Sequence, residues 1–192
     1  MAEYSMDAPI QWIFVAGGIC NYGDYRRPRP VADLWWTRTP ITWEQAGRRV
    51  VLEDISKPCT ELSFQEAYEL ARQLGGRLPT AVEWEWVAGG AEARLYPWGN
   101  QPWESGLANL RASGIGGVTV VGAHDRGATP NGLLDLAGNV WEWTSTHIPH
   151  DGLIIKGGSY NSNALHSLTK FLNAAPSELK SCGIGVRLVR DK

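Results

Sequence analysis

The segment GNVWEWTSTH, Gly138 to His147, sets a glutamate between two tryptophans directly after a Gly-Asn pair. In an extended strand the tryptophans share one face and Glu142 points to the other. A carboxylate fixed between two large apolar anchors is either a core acid with a partner or an oxygen ligand for a hard cation. Asp135 lies on the other side of the same Gly-Asn turn. A cation such as calcium takes about 6–8 oxygens, from side chains and backbone carbonyls together. Asp135 and Glu142, with the carbonyls of Gly138 and Val140, would close one such site. In the competing reading both acids cap backbone N–H groups, and the spacing leaves the two open.

Other chemistry is sparser. His147 and His150 are three apart, but Pro149 breaks any helix that would align them, so a solvated loop is expected there; His124 and His166 stand alone. YGDY, GIGG and KGGS do not open a helix after a strand and are not phosphate loops. Ser159 lacks the glycine frame of a nucleophile elbow. Cys20, Cys59 and Cys182 are too widely spaced for a metal pattern or a disulfide framework, which predicts free, buried thiols in a reducing compartment. RRPRP, Arg26 to Pro30, reads as a short, solvated basic loop.

These residues must be held by a fold that composition already narrows. A chain of 192 residues buries a full core as one domain, residues 1–192. Its net charge of -2 gives no basis for nucleic acid or an acidic membrane as partner. No window approaches a membrane span, and the first eighteen residues lack the basic region and long apolar run of a signal peptide. A cytoplasmic or phage-virion location is expected. With 22 glycines and 11 prolines, the chain favours turns over a helical bundle.

Two helices are legible. Ser63 with Glu66 forms a capping box for a helix over Ser63–Leu74, with Ala67, Leu70, Ala71 and Leu74 on one face and Gly75-Gly76 as its stop. Thr80 with Glu83 repeats the device for a helix over Thr80–Ala88. WIFV, DLWWTRTPITW, VTVVGA, LIIKGGSY and GVRLVR read as short strands, and WIFV is expected to pair with GVRLVR. The result is an α+β domain of two helices, short antiparallel strands and much irregular loop.

Taken in order, GRLPTAVEWEWVAGG, YPWGN, ANL, NGLLDLAGNVWEWT, IIKGGSY and GIGVRLVR resemble the formylglycine-generating enzyme (sulfatase-modifying factor) family, a branch of the C-type lectin fold. The resemblance covers the chain from about Trp12 and implies that fold. It also implies that Asp135, Gly138, Val140 and Glu142 hold a structural calcium. A second family calcium would fall on Asn109 and the Leu110 carbonyl, but the segment that should bring its acid, SGIGGVTVV, contains none.

The oxidases of this family carry two copper-binding cysteines after the Gly-Gly-Ser-aromatic motif. Here those positions are Ser162 and Ser167. A serine hydroxyl replaces a thiolate neither as a soft copper ligand nor in disulfide exchange, so no copper and no formylglycine generation are expected. The segment from Asn161 to Gly183, between GGSY and GIGVR, resembles the diversified stretch of variable proteins from diversity-generating retroelements. That resemblance implies a non-catalytic binder of a protein or cell-surface receptor. Its face would be Tyr160, Asn161, Asn163, His166, Thr169 and Asn173, with Trp141 behind. The competing readings are a divergent non-haem iron or other metal enzyme using His147, His150 or His166, and a structural virion component assembling into a larger complex.

Overall fold

The computed structural model describes residues 8–48, 51–149 and 152–192. Both capping boxes form. The Ser63 hydroxyl accepts from the Glu66 N–H while the Glu66 carboxylate accepts from the Ser63 N–H, and α1 runs Phe64–Gln73. Thr80 and Glu83 do the same for α2, Ala81–Gly89. Helix α1 buries Ala67, Leu70 and Ala71, as its periodicity predicts, and Gly75 ends it at φ 75°. Helix α2 is buried almost all round, which its pattern of two tryptophans and small residues permits.

Among the described residues, three small sheets surround these helices. Strand β1 (Trp12–Val15) pairs with β4 (Leu34–Thr37), and β4 pairs with β9 (Val189–Asp191), both antiparallel. The two ends of the chain thus share a sheet, but they do not pair with each other as expected. Leu34 and Trp36 of β4 are both buried, and a strand that deep takes the centre of the sheet, between the terminal strands.

Strands β2 (Gly18–Tyr22) and β3 (Arg27–Val31) make a hairpin against α2. RRPRP is therefore mostly strand, not loop. It remains exposed, and Pro28 and Pro30 lack the N–H groups that would let the edge recruit another strand.

The third sheet has the order β7 (Asn173–Pro176), β6 (Gly152–Lys156), β5 (Trp141–Ile148), β8 (Ile184–Gly185). Its pairs are antiparallel except β5 with β8, which is parallel. VTVVGA forms no strand. Its amides are used singly: Thr119 N–H goes to the Asn139 side chain, Val121 N–H to the Ser56 carbonyl and Gly122 N–H to Asp135.

Strand β5 divides the interior. Trp143 packs with α1 on one side, its indole donating to the Leu62 carbonyl at 3.0 Å, and Trp141 lies along the same face. Glu142 faces the other way, toward Trp84 of α2. The alternation read from the sequence holds.

The cysteines are free, and Cys182 departs from expectation by being exposed. Burial pushes the Cys20 and Cys59 thiols up to about 12. A thiol-specific reagent at pH 8 should therefore titrate one thiol promptly in the native protein and the other two only in denaturant. Prompt reaction of two or three thiols in the native protein would contradict this packing.

Candidate functional site

The Gly-Asn turn is a left-handed corner. Asp135, Gly138 and Asn139 have φ of 57°, 73° and 61°. Asn and Asp tolerate this region better than most residues, and glycine does so freely. The Asn139 carboxamide secures the corner by accepting from the Thr119 N–H at 2.9 Å and the Asn109 side chain at 3.2 Å, and by donating to the Thr119 carbonyl. Asn109 is thus part of the frame: its amide also donates to the Gly117 carbonyl.

Glu142 is 1% exposed and meets Arg187, which is 0% exposed. Arg187 Nε donates to both carboxylate oxygens at 3.0 and 3.1 Å, and Nη2 donates to Oε1 at 2.8 Å. The Trp84 indole donates to Oε2 at 2.6 Å. The rest of the guanidinium is spent on the carbonyls of Thr37, Arg38 and Leu134. Arg187 lies 45 residues from Glu142, a separation no local motif signals.

Of the expected calcium ligands, Glu142 is already engaged by donors of the protein in this arrangement. Each Glu142 oxygen already accepts two hydrogen bonds, which fills its lone-pair directions. The positive charge beside it is Arg187. Asp135 accepts from the Gly122 N–H at 2.6 Å, and burial pushes its carboxyl above the usual range. At the second position the Leu110 carbonyl accepts from Ser113 Oγ at 2.7 Å.

The segment after β6 begins at Gly157 and Gly158, with φ of 97° and 76°. A Cβ at Gly157 would stand 2.9 Å from the Leu136 carbonyl oxygen; one at Gly158 would stand 2.7 Å from Ser167 Oγ and 3.4 Å from Ser162 Cβ. Ser162 and Ser167 therefore close on the same glycine, and both are buried. Ser162 Oγ accepts from the Ser159 N–H at 2.9 Å, and Ser167 Oγ has no hydrogen-bond partner among the described residues.

Thr169 is not on the surface as expected. It is buried, with its hydroxyl donating to the Arg94 carbonyl at 2.6 Å and its N–H to the Leu95 carbonyl. Asn161, Asn163 and Asn173 are exposed, and Tyr160, His166 and Trp141 are half-buried. The His166 ring packs 4.9 Å from Phe171 and 6.2 Å from Trp141, and Phe171 lies 6.3 Å from Trp141. This aromatic trio carries the middle of the segment. Tyr160 Oη lies 3.4 Å from Cys182 Sγ, so the segment's two ends meet.

Sequence reasoning missed two nearby residues. Lys156 is fully buried 3.3 Å from Glu85, and burial lowers its amine to about 8. Arg111 binds Asn161 from a separate loop. The position of Lys156 directly before Gly157-Gly158 was a signal for the first; nothing local marked the second.

His147 is exposed on β5, with its ring edge-on to Phe64, and His150 lies outside the described residues. No group of three or more His, Cys, Asp or Glu side chains among the described residues is arranged to hold a metal ion. No described helix is long and apolar enough to cross a membrane.

The model of the sulfatase-modifying factor enzyme 1-like domain matches residues 9–192. The chain belongs to this family. It is 36% identical over 132 residues to the formylglycine-generating enzyme of Mycobacterium tuberculosis, covering 60% of this chain and 44% of that protein. It is 34% identical over 140 residues to the hercynine oxygenase of Mycolicibacterium thermoresistibile, covering 65% of this chain and 31% of that protein. To the inactive Cα-formylglycine-generating enzyme 2 of Mus musculus it is 36% identical over 146 residues, covering 68% and 47%. The chain thus spans less than half the length of these relatives.

Several solved structures share the fold. Treponema denticola variable protein 1 superposes with a TM-score of 0.81 at 16% identity, covering 98% of both chains. The Major Tropism Determinant P3c variant does so with a TM-score of 0.59 at 12% identity, covering 92% of this chain and 63% of that one. The architecture is the C-type-lectin-like form of the sulfatase-modifying factor family, as the motif series implied.

Proposed function

We propose that this member of the sulfatase-modifying factor family is a non-catalytic binding protein that presents residues 161–183 to a protein or cell-surface receptor. The alternation of anchored and free side chains carries this reading. Ser162, Ser167 and Thr169 are buried in the frame, while Asn161, Asn163 and Leu165 point outward between them. The frame fixes the backbone, so the outward side chains can change without loss of the core. Leu165 and Leu172, 65% and 44% exposed, add apolar contact of the kind a protein partner buries. The fold neighbours named as a variable protein and as tropism determinants support the reading by analogy of frame.

The enzyme reading is favoured by the names of the sequence relatives. It is opposed by the serines at 162 and 167, whose hydroxyls are poor ligands for a soft metal. Incubation with a sulfatase-motif peptide, copper and oxygen should leave the peptide cysteine unconverted; an aldehyde product would return the chain to the oxidases. Glu142 is read here as the partner of Arg187 and not as a calcium ligand. The melting temperature should not move with chelator or added calcium, and a rise of several degrees with calcium would restore the cation.

Replacing Asn161, Asn163 and His166 together by alanine should keep the fold, with a loss of about 1–2 kcal/mol that comes mainly from the His166 ring packed on Phe171 and Trp141. It should also abolish receptor binding. Loss of the fold would place these residues in the frame, and unchanged receptor affinity would move the binding face elsewhere.

A further inference from the structure

Arg111 leaves one face of its guanidinium unused. Its Nε donates to the Asn161 carbonyl at 3.1 Å and to Asn161 Oδ1 at 3.2 Å, and its Nη2 donates to the same carbonyl at 2.7 Å. These contacts take up the Nε–Nη2 edge of the planar group. The end edge, Nη1 with the second proton of Nη2, has no partner among the described residues. That edge offers two parallel N–H bonds, the geometry that accepts a carboxylate in bidentate fashion.

Arg111 borders an open cleft of about 370 Å³ that is lined also by Gly114, Gly116, Tyr160 and Asn161. The lining contains one cation and no anion. Arg126 and Arg94, on other loops, are each paired with a carboxylate of this chain; Arg111 is not. Gly114 and Gly116 have φ of 74° and 77°, and no atom lies within 4 Å of where a Cβ would stand on either. That wall of the cleft is open backbone.

The arginine is also held in place. Asn109 donates to the Gly117 carbonyl at 2.8 Å, Ser113 Oγ donates to the Leu110 carbonyl at 2.7 Å, and the Arg111 N–H donates to the Ser162 carbonyl at 3.0 Å. These contacts hold the Arg111 backbone and the Asn161 contacts hold the guanidinium, so it loses less side-chain freedom on binding than an ordinary surface arginine.

We propose that this cleft is a carboxylate-binding subsite at the rim of the display face. The proposal rests on the display reading for its biological use, though not for its chemistry. The carboxylate is that of an acidic amino-acid side chain or of an acidic sugar.

The test is an NMR titration of the ¹⁵N-labelled protein at constant ionic strength, following Arg111 Nε–H and the Gly114 and Gly116 amides. The probes are acetate, N-acetylneuraminate and a short glutamate-containing peptide, with chloride as control. Saturable shifts confined to the cleft are expected with carboxylates and not with chloride, with millimolar dissociation constants. A tighter constant for the sugar or for the peptide assigns the natural source.

Arg111→Gln should weaken binding at least about tenfold, the equivalent of one lost bidentate pair. That change also frees Asn161, so Gly116→Asp serves as the second variant. It places a carboxylate of the chain itself in the cleft and leaves Arg111 intact, and it too should abolish the shifts. No saturable shift with any carboxylate, or undiminished binding in either variant, overturns the proposal. Asn163→Ala with His166→Ala should leave the titration unchanged, so failure of the subsite and failure of the display reading are told apart.

Discussion

Arg187→Met is expected to destabilise the protein by about 3–5 kcal/mol, the usual cost of leaving a buried charge without its partner. Glu142 would keep only the Trp84 indole, and the carbonyls of Thr37, Arg38 and Leu134 would lose the guanidinium as a donor. Those carbonyls belong to β4, the turn after it and the segment before the Gly-Asn corner, so Arg187 ties the three-stranded sheet to β5. Replacing the pair together, as Glu142→Leu with Arg187→Met, removes the orphaned charge but still takes the Arg187 donor from the carbonyls of Thr37 and Leu134, while the Arg38 carbonyl keeps the Leu134 N–H at 2.8 Å. The double variant should therefore recover only part of the loss. Urea denaturation of the two single variants and the double reads this directly. A loss below about 1 kcal/mol for Arg187→Met would show that the contact carries little.

Gly138→Ala should be nearly as damaging, at about 2–5 kcal/mol, from left-handed backbone strain and overpacking together. At φ 73° a Cβ would stand 2.4 Å from the Asn109 carbonyl oxygen. That oxygen cannot retreat freely, because it accepts from the Asn139 N–H at 2.8 Å. Gly114→Ala is the matched control: its φ is 74°, with nothing within 4 Å. It should lose only the conformational part, about 1–2 kcal/mol. Equal losses at the two positions would mean that the close approach to Asn109 is not what requires glycine at 138.

These two effects mark where the sequence was readable. The capping boxes at Ser63 and Thr80, the alternation of Trp141, Glu142 and Trp143, and the glycines at 75, 157 and 158 are local devices, and each does locally what its residue types dictate. The pairing of Glu142 with Arg187 is not local. Composition and spacing left Glu142 between a partner and a cation, and only the approach of β8 and its flanking residues to β5 supplies the partner.

VTVVGA shows the reverse error. Its β-branched residues suit a strand, but its amides are claimed one at a time by Asn139, Ser56 and Asp135, so no ladder forms. RRPRP was read as a short, solvated basic loop; it is solvated, but as an exposed hairpin edge, where prolines are tolerated. Thr169 was placed on the binding face by residue type alone. Its burial follows from its bonds to Arg94 and Leu95, residues of a loop that sequence could not bring near.

The central claim is that a fixed frame carries a changeable face between residues 161 and 183, and one display experiment measures this most directly. A library randomised at Asn161, Asn163, Leu165, Leu172 and Lys180 is compared with one randomised at Ser162, Ser167, Thr169 and Ala175. Both are expressed on yeast and scored by the fraction of members that resist protease. Most members of the first library should stay folded, and few of the second. If the two libraries lose resistance alike, the segment is ordinary core and loop, and the display account is wrong.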